Sequence, residues 1–411
     1  MPTDFRGSAL RVEEHLRALA RCSASPSGIT RLYLTPEHRA ANGLVSGWMQ
    51  EAGLEPRVDE TGTVIGRREG SDPSLPPILL GSHIDTVVNA GAYDGCLGVA
   101  CAVEAARVLA REGATLRHPL EVAGFGEEEG VRFGVTFLGS RGIAGTWTPD
   151  LYEAKDREGV SVRSAMRSFG LDPDAVPRAA HRIAAYFEFH IEQGPNLAAS
   201  GVPFGIVAGI AAAKRFRVTF TGKTGHAGMT PMAGRRDALC AASEFVLEAE
   251  EEAKRIGRGA VATVGDLVVT PGVTNCIPEA VTLTLDARAG TDEDLEELLS
   301  RLFDRSRASA ARRSVALERD CYYSSKAVAC SEALKEILRS SVREMGFEPP
   351  EMFSMAGHDA AAIGEKYPVA MAFVRDAGIG HSPKEHCDAE DVARTVELTV
   401  RAVRAADAIL P

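Results

Sequence analysis

Four short apolar runs, at 76–82, 120–126, 184–191 and 369–374, constrain the fold of this chain more than any other feature. Runs of this length bounded by turn residues read as strands buried on both faces. Helical spacing lies over 8–22, 36–52 (closed by Gly53), 97–112 and 389–409. Buried strands alternating with helices predict an α/β domain built on a mostly parallel sheet with helices on both faces. The middle of the chain has another rhythm. Residues 214–221 alternate as a half-buried strand, a helix follows over 237–256, and 261–269 and 281–286 read as strands. Thr291 reads as an N-cap, with Asp292, Glu293 and Asp294 in the first turn of a helix to 306, and 314–318 closes the set. The order β-α-β-β-α-β predicts an inserted ferredoxin-like unit over 212–327, leaving 1–211 and 328–411 as the main domain.

With 411 residues the chain is long enough for two or three domains. Its net charge of -11 argues against nucleic acid and anionic membranes as partners. No stretch approaches the ~20 apolar residues of a membrane span. The first 21 residues are charged throughout, with no apolar signal core, so export is not expected. Eight cysteines stand singly with no Cys-x-x-Cys pair, which predicts reduced thiols in the cytoplasm and no thiolate metal cluster.

Chemistry-bearing residues gather just after the predicted strands, where open α/β sheets place their sites. The first cluster is Gly81-Ser82-His83-Ile84-Asp85-Thr86, followed by Asp94-Gly95. His83 and Asp85 share one face of an extended segment, and a carboxylate there can accept the second N–H of a metal-bound imidazole. Taken singly, Asp94 reads as a helix cap and His83 as a hydrogen-bonded core histidine. The second cluster is Glu127-Glu128-Glu129 between Phe125 and Phe133; adjacent glutamates can supply one metal ligand and one proton shuttle. The third places Glu188, His190 and Glu192 opposite Phe187, Phe189 and Ile191, and the fourth is Gly380-His381-Ser382-Pro383. His83, Asp94, Glu129, His190 and His381 thus all fall at strand ends or in the loops after them. As a set they outweigh the separate readings and suit two borderline divalent ions such as Zn or Mn, with Co and Ni also compatible. Thr221-Gly222-Lys223-Thr224 is not a phosphate loop, because Arg217 stands where that loop needs glycine.

These segments, with Gly225-His226-Ala227-Gly228, Asn275-Cys276-Ile277-Pro278 and Gly357-His358-Asp359, resemble the hydantoinase/carbamoylase branch of the dinuclear metal-dependent amidohydrolases, relatives of the aminoacylase/carboxypeptidase group. The resemblance runs in family order over nearly the whole chain. It implies that Asp94 bridges two metals, that His83 and His190 complete one, and that Glu129 and His381 complete the other. It further implies Glu128 as general base, Asp85 in support, and Gln193, His226, Asn275 and Arg288 as substrate-holding groups. The inserted unit would serve as lid and homodimer surface, with His226 acting across the dimer, and Glu127 has no assigned role. The implied reaction is hydrolysis of a ureido carboxylate, allantoate first and an N-carbamoyl-L-amino acid or β-ureidopropionate second. Residues alone leave three points open. Arg288 reads as a carboxylate clamp or as the partner of Asp286 in a surface ion pair. His226 reads equally as an exposed loop histidine, and His358 with Asp359 as a helix start with a supporting role. A dipeptidase or deacylase and a silent binding protein are the competing readings; the second would be expected to have lost Glu128 or a ligand, and none is missing.

Overall fold

Ile78–His83, Leu120–Phe125, Ala185–Ile191 and Val369–Val374 are buried at every position. In the computed structural model, which describes residues 5–411, these four lie side by side and parallel in the order Leu120–Phe125, Ile78–His83, Ala185–Ile191, Val369–Val374. Residues 1–4 of the stretch read above for an export signal lie outside the described residues. The flanks are antiparallel: Val64–Arg68 pairs with Leu120–Phe125, and Phe204–Ile210 with Val369–Val374. The parallel character expected from the sequence is therefore that of the sheet's centre. Its flanks are built from strands that need no crossover helix.

Along the chain Ile78–His83 is followed by a neighbour on one side, Leu120–Phe125, and later by a neighbour on the other, Ala185–Ile191. A crevice opens at the carboxyl ends where the order reverses, and that is where such sheets bind ligands. Register does the fine placement. Gly81 stands opposite Glu188, so His83 and His190 emerge together at the strand ends. Helix Cys96–Arg111 is buried along nearly its whole length, and Gly98 lets it approach the Phe189 carbonyl, where a side chain would collide.

The chain divides into two compact units. One runs through Ala208 and resumes over Ala329–Met352 and Gly357–Pro411; the other comprises Gly209–Val328 and Phe353–Ala356. The second has a sheet in the order Leu267–Thr270, Ala280–Ala289, Ala212–Thr221, Ala316–Ser325, with Val261–Thr263 beside Ala280–Ala289. Strict alternation along Ala280–Ala289 turns Val281, Leu283 and Leu285 onto Phe245, Leu298 and Phe303 of helices Ala238–Ile256 and Asp292–Arg312. Thr291 caps the second helix, its Oγ1 accepting the Asp294 N–H at 3.1 Å. Among the described residues no helix is long and apolar enough to cross a membrane.

Candidate metal centre

Asp94 is buried and its two carboxylate oxygens face different partners. Oδ1 lies 3.1 Å from His190 Nε2 and 3.6 Å from His83 Nε2, while Oδ2 lies 3.2 Å from His381 Nε2. His381 Nε2 is in turn 3.6 Å from Glu129 Oε1. Two overlapping groups result, His83–Asp94–His190 and Asp94–Glu129–His381, and in each the ligand atoms lie within 4.8 Å of one another. A third group, His83–Glu128–Glu129, meets the same spacing. The structure thus brings together all five side chains singled out as ligands, with Glu128 Oε2 3.9 Å from His83 Nε2.

Backbone contacts fix how the inner imidazoles face. His83 Nδ1 donates to the Asp85 carbonyl at 3.0 Å, and His190 Nδ1 to the Ile191 carbonyl at 2.9 Å. Each Nε2 is thereby left with its lone pair toward Asp94. One expectation needs correction. The acceptor for the second N–H of His83 is the Asp85 backbone; the Asp85 carboxylate stands farther off, at 3.7 Å. That carboxylate instead accepts the N–H of Glu128 at 3.1 Å and of Glu129 at 3.2 Å, holding the loop that carries both.

Acidic groups outnumber the imidazoles in this mostly buried cluster, and they shift one another's affinity for protons. Burial raises Glu128 well above the usual carboxylate range, against the pull of His83 and with help from Glu129, Asp359 and Asp85. Burial, then the Asp94 charge, pushes Glu129 up to about 7. The hydrogen bond to Asp94 lifts His381 to about 9, against burial. For Asp94 burial works upward, but three imidazoles hold it well below the ordinary value. Glu129 Oε1 is buried without a hydrogen-bond partner. Carboxylates crowded with imidazoles whose Nε2 atoms face them, and an unsatisfied buried carboxylate oxygen, together fit cations with mixed N/O ligands, as Zn or Mn require.

Other expected residues sit as follows. Gln193 Nε2 donates to Asp94 Oδ2 at 2.9 Å, so its amide is engaged with the centre itself. His358 precedes helix Asp359–Gly364 and packs its ring edge-on against His190, 4.5 Å between centroids. Glu127, with φ +59°, folds the loop: its carboxylate accepts the Phe133 N–H at 3.0 Å. In the second unit a short ladder pairs His226 with Cys276, and just beyond it the Ala227 N–H donates to the Asn275 carbonyl. His226 Nδ1 accepts the N–H groups of Gly228 and Met229, which leaves the ring proton on Nε2. Arg288 does pair with Asp286, Nε and Nη2 donating at 2.8 and 2.9 Å, and Nη1 donates to the Met355 carbonyl at 2.6 Å. Two N–H groups of the guanidinium remain for another acceptor.

Three residues with a part in the arrangement escaped the sequence reading. Glu188, noted only as facing away from the phenylalanines, is fully buried and accepts Ser82 Oγ–H and Ala360 N–H. Arg31 is buried and donates to the carbonyls of Leu19, Cys22 and Ile84, the last lying between His83 and Asp85. Glu385, four residues past His381, is buried and accepts the His381 N–H.

The profile of the peptidase family M20/M25/M40 matches residues 79–405. An N-carbamoyl-L-amino acid amidohydrolase of Geobacillus stearothermophilus is 40% identical over 398 residues, covering 96% of this chain and 97% of that one. An allantoate amidohydrolase of Bacillus subtilis (strain 168) is 36% identical over 397 residues, 95% of each chain. The crystal structure of a hydantoinase/carbamoylase family amidase from Burkholderia multivorans superposes with a TM-score of 0.90 at 32% identity, covering 97% of both chains.

Proposed function

The chain belongs to the peptidase M20/M25/M40 family, and from that premise we propose that it hydrolyses a non-peptide C–N bond of a ureido carboxylate with two divalent ions. The observation that carries this reading is the divided Asp94 carboxylate, one oxygen toward His83 and His190 and the other toward His381. His83, Asp94 and His190 hold one ion, and Asp94, Glu129 and His381 the other. Zn or Mn suits these donors best, with Co or Ni also compatible. When bound, the ions polarise the ureido carbonyl and make water a stronger acid.

The chain's own groups do the rest. Glu128, beside His83 and outside the two groups that Asp94 joins, takes a proton from the attacking water and returns it to the leaving nitrogen. Asp85 keeps the Glu128 loop in place through two N–H contacts. His226, with its proton on Nε2, and Asn275 donate to the oxygen that becomes negative in the tetrahedral state, a contribution of roughly 3 kcal/mol per donor. Arg288 offers its free edge to the substrate carboxylate, already oriented by Asp286 and Met355. Gln193 supports the substrate from its place beside Asp94. The released carbamate breaks down to ammonia and carbon dioxide.

Of the two substrates we rank an N-carbamoyl-L-amino acid ahead of allantoate, the sequence-based first choice; the 40% identity to an N-carbamoyl-L-amino acid amidohydrolase against 36% to an allantoate amidohydrolase supports that order. Residues 212–327 serve as lid and homodimer surface, and the eight free cysteines favour the reducing cytoplasm. Ammonia release from a panel of N-carbamoyl amino acids, β-ureidopropionate and allantoate, with Mn or Zn added, tests the reading. Release from none of them rejects it.

A further inference from the structure

The two ion positions are not equally built. His83 and His190 are nearly inaccessible, packed in the core, and each is fixed through Nδ1 by a backbone carbonyl. His381 is half exposed, its side chain 52% accessible, on a loop with no such packing. Its backbone has φ +57°, a left-handed conformation that residues with a side chain adopt uncommonly.

Glu385 holds that loop. It is buried, and its carboxylate ties together segments some 290 residues apart. Oε1 accepts the His381 N–H at 3.1 Å, while Oε2 accepts the N–H of Tyr93 at 3.1 Å and of Asp94 at 3.2 Å. The surroundings are shaped for it. A Cβ on Gly91 would stand 2.5 Å from Glu385 Oε2, and one on Gly378 would stand 2.6 Å from Glu385 Cα, so neither position admits a side chain without a shift. The loop is closed behind it by Ala377 N–H donating to the His386 carbonyl at 2.8 Å. Glu385 therefore does for the loops of Asp94 and His381 what Asp85 does for that of Glu128 and Glu129.

Resting on the dinuclear reading above, we infer that Glu385 is a positioning residue that sets the affinity of the outer ion position, formed by Asp94, Glu129 and His381, while leaving the inner one to the packing of its histidines. Carboxylate oxygens can accept on both sides at once. A carboxamide has one accepting oxygen, and its NH2 would confront either the His381 N–H or the pair from Tyr93 and Asp94.

The test is Zn2+ binding to metal-stripped full-length protein, by equilibrium dialysis and elemental analysis. The parent is expected to bind two Zn2+ per chain. Glu385→Gln is expected to bind the first with parental affinity and the second about ten- to a hundredfold more weakly. The thermal midpoint of its metal-free form should match the parent's, which separates positioning from a general loss of structure. Glu385→Asp, which keeps the charge but draws the carboxylate back by one methylene, is read the same way should the first variant fail to fold. Two equal and parental affinities in the variants, or an equal weakening of both, overturns the role of Glu385 alone. A parent that binds no Zn2+ takes the dinuclear reading down first, and the inference with it.

Discussion

Glu128 and Glu129 hang from one loop, yet their surroundings differ. Glu129 reaches His381 and completes a ligand group, whereas Glu128 lies beside His83 with no share in the two groups that Asp94 joins. Replacing Glu128 with Gln keeps shape and hydrogen bonding but removes the proton carrier. Turnover should fall by roughly 10²- to 10⁴-fold while metal content per chain stays parental; activity within tenfold of the parent would remove the assigned role. Arg288→Leu should act on binding. Loss of a charge-assisted pair costs roughly 2 kcal/mol, about a thirtyfold rise in KM with kcat largely kept, and Arg288→Lys should recover only part of it. An unchanged KM for a carboxylate substrate rejects the clamp. At this scale the centre was largely legible because ligand chemistry demands particular residue types after particular strands. What stayed hidden were residues such as Glu385 and Arg31, whose contribution is made through backbone groups. Such contacts follow no periodicity or ligand spacing along the chain, so the sequence alone gives no sign of them.

Gly98 shows how an element depends on one missing atom. In an exposed helix, glycine to alanine stabilises by roughly 1 kcal/mol. Here the added Cβ would collide with the Phe189 carbonyl and stand 3.0 Å from Ser82 Cβ, between a buried helix and the central strands. Gly98→Ala should therefore destabilise, by roughly 1–3 kcal/mol in urea unfolding; a stabilised variant would show that helix Cys96–Arg111 does not pack as described. The same packing explains which elements could be read from the sequence. Strands buried on both faces are mostly apolar, so the four central ones were visible almost to the residue. Glu55–Val58 and Val64–Arg68 were missed because an antiparallel edge pair tolerates Pro56, Arg57 and Arg67. Ala316–Ser325 was read only to 318, since an edge strand with mostly exposed side chains carries no apolar signal. The single strand expected over 261–269 is two, Val261–Thr263 and Leu267–Thr270, with Asp266 N–H diverted to Thr284 Oγ1.

Across the molecule, buried histidines outside the centre set how stability responds to acid. His38 is fully buried. Its Nδ1 accepts the Leu34 N–H at 3.2 Å, its ring stacks on Phe169, and burial, followed by the charges of Arg31 and Arg39, lowers it to about 3. His15, stacked on Trp48, is lowered to about 4, mainly by burial. Both stay neutral in the folded chain and take a proton when exposed by unfolding, where the ordinary value is near 6.5. The unfolded state then binds more protons, so this contribution is whole above pH 6.5 and is lost as the pH falls through 4 and 3. Asp59 has the opposite sign. Burial raises it to about 6, so what it contributes is present below its ordinary value and is lost as the pH rises through 6. Between pH 4 and 6 Asp59 cancels one of these two histidines. His38→Asn keeps an acceptor near Nδ1 and removes the titration. Both tryptophans, Trp48 and Trp147, lie in the unit that runs through Ala208, so their fluorescence follows its unfolding in urea. For the metal-free protein between pH 6 and 4.5, the slope of unfolding free energy against pH should drop in His38→Asn by up to about 1.4 kcal/mol per pH unit. Asp59→Asn should steepen it over the same range. A His38→Asn slope that overlays the parent's would mean that this histidine carries its proton in the folded chain as well.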